Sequence, residues 1–100
     1  MPEARRQAIV PGDHPCLAGH FPGNPVVPAV LMLELITEAA REAIGPLRVV
    51  AVRAAKFVTP LKPGEAMDVH LDWDAVQIRF RCEHAGRAIA QGALEYGVAP

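Results

Sequence analysis

The sequence predicts an α+β fold, a single domain over residues 1–100 in which an antiparallel meander of four strands covers one helix. Three observations lead there. Apolar residues recur at helical spacing in one window only, between Pro28 and Gly45–Pro46. Downstream of Pro46 the apolar period changes from helical to two. Proline and glycine then cut that downstream half into pieces of strand length.

Taken in chain order, residues 7–10 read as a short strand. Residues 11–27 hold Pro11, Gly12, Pro15, Gly19, Pro22, Gly23 and Pro25, which disfavour regular structure and point to one long, conformationally fixed loop. Loops of that length in small domains are commonly functional. Pro28 suits a first helical position, and Gly45–Pro46 is a stop signal. Between them Val30, Leu31, Leu33, Ile36, Ala39, Ala40, Ala43 and Ile44 form the apolar stripe, with Glu34, Thr37, Glu38, Arg41 and Glu42 opposite. Apart from Glu34, the first two turns are apolar almost all round, so the helix is expected to start buried and end amphipathic.

The valine-rich segment Leu47–Thr59 is the next strand, closed by Pro60, Pro63 and Gly64. In Met67–Trp73 the residues Val69, Leu71 and Trp73 alternate with Asp68, His70 and Asp72. In Val76–Cys82, Val76, Ile78, Phe80 and Cys82 alternate with Gln77, Arg79 and Arg81. A turn over Glu83–Arg87 containing Gly86 leads to a last strand that runs to about residue 97.

Composition narrows the function classes. Hydrophobic residues make up 51% of the 100, yet no stretch reaches the roughly 20 apolar residues that span a bilayer. A chain this small with that much apolar surface is expected to oligomerise. The formal net charge of −1 gives no sign of a nucleic-acid binder. Cys16 and Cys82 are too few for a disulfide framework and lie in no metal-type spacing. Residues Met1–Gln7 lack the apolar core of a signal peptide, so a cytoplasmic location is expected.

The chemistry concentrates in His14–Glu34, HPCLAGHFPGNPVVPAVLMLE. His20 sits on a backbone that proline and glycine restrain, as a positioned proton-transfer group requires. The helix beginning near Pro28 offers free backbone N–H groups and the positive end of its dipole. Glu34, flanked by Leu31, Met32, Leu33 and Leu35, is expected to be desolvated, with its pKa raised so that it can remain a proton donor. Other readings fit the same residues: His20 as a structural or exposed loop histidine, and Glu34 as the first residue of a solvated stripe through Glu38 and Glu42. His14 reads as structural, His70 and His84 as solvated, and Cys16 as a small packed hydrophobe. Asp68, Asp72 and Asp74 read as solubilising charge, and Trp73, Phe57 and Phe80 as core.

The segment GHFPGNPVVPAVLMLE resembles the signature of the FabZ-type and FabA-type 3-hydroxyacyl-[acyl carrier protein] dehydratases: a histidine in an HFPG-like turn, a PVxPG-like step, then an acid on the central helix. The fourteen positions from His20 to Glu34 match the family's interval. A second block, KFVTPLKPG from Lys56 to Gly64, resembles the family's KFxxPxxPG strand and turn. The resemblance implies the hot-dog fold, an antiparallel sheet wrapped around one long central helix, paired as a homodimer and in some members a higher oligomer. It also implies active sites at the subunit interface, where the histidine of one chain faces the acid of the other.

Carried over, His20 abstracts the proton at C2 of the 3-hydroxyacyl thioester, and Glu34 helps the C3 hydroxyl leave as water. Backbone N–H near Ala29 polarises the carbonyl. Phe21, Gly23, Val27, Pro28, Ala29, Val30 and Phe57 are the implied substrate-binding residues. No metal or organic cofactor is implied. The implied partner is an acyl carrier protein; these are acidic, so some of Arg41, Arg48, Arg53, Lys56, Lys62, Arg79, Arg81 and Arg87 are expected near the entrance. Glutamate at the acidic position resembles the FabZ rather than the FabA type. Ala29 replaces the family's usual glycine and Glu38 its usual glutamine. Shorter than typical FabZ proteins, the chain resembles the short dehydratase-like proteins of specialised lipid or polyene pathways. Two rivals stay open: a hot-dog acyl thioesterase, which generally lacks the HFPG block, and a catalytically silent subunit that binds the acyl carrier.

Overall fold

A computed structural model describes residues 2–13 and 26–99. Strand β1 (Glu3–Ala8) is followed by helix α1 (Ala29–Ile44) and by β2 (Leu47–Phe57), β3 (Met67–Trp73), β4 (Gln77–His84) and β5 (Arg87–Val98). The strands form one antiparallel sheet in the order β1-β3-β4-β5-β2, so β1 and β2 are its two edges. The expected meander is there as β3, β4 and β5, with β2 added beside β5. The first strand lies earlier than residues 7–10. Its partner is the backbone of β3, from Glu3 opposite Asp72 to Ala8 opposite Met67, and an edge strand needs that ladder more than an apolar run.

One face of the sheet is apolar and packs on the helix. Val69, Leu71, Ile78, Phe80, Cys82, Ala90 and Leu94 point inward and join Leu31, Met32, Ile36, Ala39 and Ala40 of α1 in one core. Phe80 is core as expected, while Trp73 is half-buried and Phe57 is exposed. Cys82 lies wholly within this core, and burial pushes its thiol up to about 12, which leaves it unreactive. The start of α1 differs from expectation, because Ala29, Val30 and Glu34 are exposed, Val30 by 62%. At 3.6 residues per turn, Leu31 and Met32 face the sheet and Val30 and Glu34 cannot.

Turn chemistry sets the register. Ala85 and Gly86 both adopt positive φ (51° and 78°), as a two-residue type I′ hairpin demands, and they join β4 to β5. Between β3 and β4, one Asp74 carboxylate oxygen accepts from the amides of Val76 and Gln77, both at 2.9 Å. Tyr96 closes the same corner, its hydroxyl donating to the Asp74 carbonyl at 2.5 Å and its amide to Val76 O at 2.9 Å.

Those two amides, helped by Arg79, hold the Asp74 carboxyl below its ordinary 3.8. The unfolded chain therefore takes up a proton at a pH where the folded chain still refuses it. This contribution is fully present above the ordinary value and is lost as pH falls through and below it. Asp74→Asn keeps an acceptor and removes the titration. Its urea midpoint should drop less between about pH 6 and about pH 3 than that of the unaltered protein.

At Gly92 the sheet leaves no room for a side chain. A methyl there would fall against the Ala54 carbonyl oxygen and sit 2.7 Å from the Phe80 ring. Strand β2 carries two register shifts leading up to this approach, between Val49 and Ala51 and between Val52 and Ala54.

Candidate active site

Among the described residues the helix start has no side-chain cap. Pro28 holds the position before the first helical residue (φ −63°, ψ 149°), and its carbonyl accepts from Met32 N at 3.1 Å. The amides of Ala29, Val30 and Leu31 precede that first helical bond and have no carbonyl partner among the described residues. Just upstream, the amide of buried Val27 donates to Leu61 O at 2.7 Å, which ties the entry of the helix to the loop between β2 and β3.

Beside this start, α1 and the sheet enclose a groove of about 460 Å³. Val30 and Leu33 from α1 and Val49, Val52 and Leu94 from the sheet line it with apolar walls, and Glu34, Thr37, Glu38 and Arg41 complete the helix side. The polar residues are not equivalent. Thr37 returns its hydroxyl to Leu33 O at 2.8 Å. Glu38 is held by Arg41 at 2.5 Å, and the same guanidinium reaches Leu47 O at 3.3 Å near the C-terminus of α1, where a cation is favoured. Glu34 has neither hydrogen bond nor ion pair among the described residues, so its carboxyl is the one available to a ligand.

Among the described residues, little covers Glu34. Leu31 and Met32 turn away into the core, Leu33 and Leu35 are only half-buried, and Glu34 itself is exposed. Of the other anticipated residues, Val30 lines the groove, Ala29 is exposed at the helix start, and Val27 and Pro28 anchor it. Phe57 does not line it, because it lies five residues along β2 from Val52, roughly 17 Å of strand. His20, Phe21 and Gly23, like His14 and Cys16, lie outside the described residues.

Val49, Val52 and Leu94 carry no sequence signal as groove residues, since their strands show where apolar residues sit but not which helix face they meet. Arg41 is the basic residue on the groove. Lys56, Arg79 and Arg81 instead line a second depression, of about 980 Å³, on the polar face of the sheet, with Arg5 and His70. Asp68 and Asp72, on that same face, pair with Arg5 and Arg79. His84 is not solvated as expected. Its ring lies between Ala66 O, 2.7 Å from Nδ1, and the Glu65 carboxylate, 3.0 Å from Nε2. No described helix is long and apolar enough to cross a membrane.

A family profile described as ApeI dehydratase matches residues 2–93. Two curated proteins, both named 3-hydroxyacyl-[acyl-carrier-protein] dehydratase FabZ, are 33% identical. The one from Novosphingobium aromaticivorans aligns over 71% of this chain and 51% of its own length, and that from Thiobacillus denitrificans over 82% and 63%. The chain thus spans between half and two thirds of the length of these relatives.

Among solved structures, the dehydratase heterocomplex ApeI:P from Xenorhabdus doucetiae superposes with a TM-score of 0.84 at 24% identity, covering 95% of this chain and 87% of that one. An (R)-hydratase from A. caviae gives 0.76 at 12% (98% and 95% covered), and the fluoroacetyl-CoA thioesterase FlK gives 0.75 at 17% (96% and 84%). Likeness at these identities establishes the fold, which is the hot dog, shared by dehydratases, hydratases and thioesterases alike. The profile match and the FabZ relatives are more specific, and by them this chain belongs to the ApeI-like, FabZ-related family of hot-dog dehydratases.

Proposed function

We propose that the chain dehydrates a 3-hydroxyacyl thioester carried on acyl carrier protein, yielding the trans-2-enoyl thioester and water in fatty-acid or specialised lipid or polyene synthesis. The reading rests on one juxtaposition. Glu34, unpaired among the described residues, stands on an apolar groove about 7.5 Å of helix rise from the uncapped amides at Ala29. In the reaction His20 takes the C2 proton while those amides donate hydrogen bonds to the thioester oxygen as negative charge gathers there. Glu34 passes its proton to the C3 hydroxyl, the C3–O bond breaks, the C2–C3 double bond forms and water departs. Proton exchange with solvent resets both groups. The acyl chain lies along Val30, Leu33, Val49 and Val52.

A second copy of the chain supplies what Glu34 lacks. The groove side of α1 leaves Val30 exposed, and edge strand β2 with the residue after it leaves Val50, Val52 and Val58 exposed, apolar side chains that a second copy can cover. In the proposed homodimer this surface is covered, Glu34 is desolvated, and His20 of the partner subunit faces it. Sedimentation should give a dimer at micromolar concentration; a folded monomer would count heavily against this arrangement.

The activity is tested by offering a series of 3-hydroxyacyl thioesters, on carrier protein and on coenzyme A, and following enoyl absorbance and thiol release in parallel. Enoyl product without thiol release supports dehydration. Thiol release alone would make the protein a thioesterase, and binding without either would make it an acyl-carrier-binding subunit.

A further inference from the structure

The loop joining β2 to β3 touches three separate parts of the fold. At its start, Val58 N and Thr59 N donate to Ile89 O of β5 at 2.8 and 3.4 Å. In its middle, Leu61 O receives the Val27 amide and Gly64 N donates to Val10 O, both at 2.7 Å. Directly after Leu61 comes a turn, Lys62 to Glu65, closed by Glu65 N donating to Lys62 O at 3.1 Å. Pro63 occupies its second position and Gly64, with φ 87°, its third, the residue types and backbone of a type II turn.

Glu65 and His84 hold this turn from outside. One Glu65 carboxylate oxygen accepts from the Lys62 amide at 2.8 Å, and the other lies 3.0 Å from His84 Nε2. His84 Nδ1 is 2.7 Å from Ala66 O; a carbonyl only accepts, so Nδ1 carries a proton. One imidazole at the end of β4 therefore grips both a side chain and the backbone of the loop. The two side chains are only 26% and 24% exposed, so the pair is largely withdrawn from water. Lys62 and Arg87 add positive charge around the carboxylate.

We propose that Glu65 and His84 are positioning residues for the thioester site. Their pair fixes the Lys62–Glu65 turn against the β4–β5 hairpin, and through the adjoining Leu61 O that turn sets Val27 and the amides that follow it. This inference rests on the proposed dehydration. Its physical basis is that Pro28 cannot donate and, among the described residues, no side chain caps α1, so there the Val27–Leu61 bond is the last fixed point before the oxyanion-binding amides. Misplacing such donors by about 1 Å is enough to cost up to 10²-fold in rate.

The test compares Glu65→Ala, His84→Ala and Glu65→Gln in the full chain, with two independent readouts. Amide hydrogen exchange at Val27 and Gly64 needs no substrate and reports the turn directly. Steady-state kinetics separate kcat from KM. Both alanine variants should exchange about tenfold faster at these amides and lose about tenfold in kcat, with KM within about twofold. Glu65→Gln should stay close to the unaltered protein. Its amide oxygen still accepts from Lys62 N, and its N–H can donate to Nε2 of a neutral ring whose Nδ1 proton remains on Ala66 O.

Unchanged exchange in the alanine variants overturns the proposal, as does faster exchange or a lower melting temperature with kcat intact. Should Glu65→Ala fail to fold, Glu65→Asp shortens the reach by one methylene and is read on the same quantities. If the unaltered protein dehydrates nothing, the functional reading falls, whereas the exchange data still decide whether the pair sets Val27.

Discussion

Glu34→Gln is expected to lower dehydration turnover on the order of 10²-fold or more, and His20→Ala by as much, the usual loss when a general acid or base is removed. The double substitution should cost little beyond the worse single one, because the two groups act on one transition state. Since Glu34 is exposed and unpaired among the described residues, its replacement by an isosteric amide removes no packing and should leave the melting temperature within a few degrees. Initial rates and melts on the same samples separate chemistry from folding. Glu38→Gln should leave turnover intact, because the Glu38 carboxylate is occupied by Arg41 rather than offered to the groove. Full activity in Glu34→Gln with none in Glu38→Gln would transfer the acid role to Glu38.

The largest loss of stability is expected at Gly92. Ala or Val there must push the Ala54 carbonyl away from β5 and displace the Phe80 ring, and neither yields cheaply. The carbonyl belongs to the β2–β5 ladder and the ring is buried in the core. Overpacking commonly costs about 1–3 kcal/mol, and a clash with sheet backbone belongs at the upper end. In a domain of this size about 3 kcal/mol corresponds to a fall in melting temperature of roughly 12–24 °C. Phe80→Leu combined with Gly92→Ala should recover only part of the loss, since it relieves the ring and not the carbonyl; thermal melts of both variants decide this.

Much of the fold is legible in the sequence because period and punctuation agree. The stripe from Leu31 to Ile44, closed by Gly45, can hardly be anything but one helix, and alternation in Met67–Trp73 fixes which residues face inward. Strand β1 is misplaced by sequence reasoning because Glu3–Ala8 has no apolar run; its existence depends on a ladder to β3 that no local pattern reveals. Glu34 does stand on the groove, with described surroundings more open than its sequence neighbours suggest. Neighbours in sequence on a helix point in different directions, so leucines beside Glu34 say little about what touches it. Val49, Val52 and Leu94 meet α1 only through tertiary packing, and the Glu65–His84 pair joins two turns that sequence reasoning treats separately.

The strand order has a consequence for how the chain folds. The β3–β4–β5 meander is made of neighbours in sequence, its β4–β5 hairpin closing at His84 opposite Arg87, so its contacts form at small loop-closure cost. Both edge strands are recruited from far away, Glu3 opposite Asp72 and Leu47 opposite Val98. The rate of folding is accordingly governed by docking these distant edges onto a hairpin core that assembles early. Because β2 is one of these distant edges and carries the exposed Val50 and Val52, the apolar rim of the groove is completed after the meander that supports it.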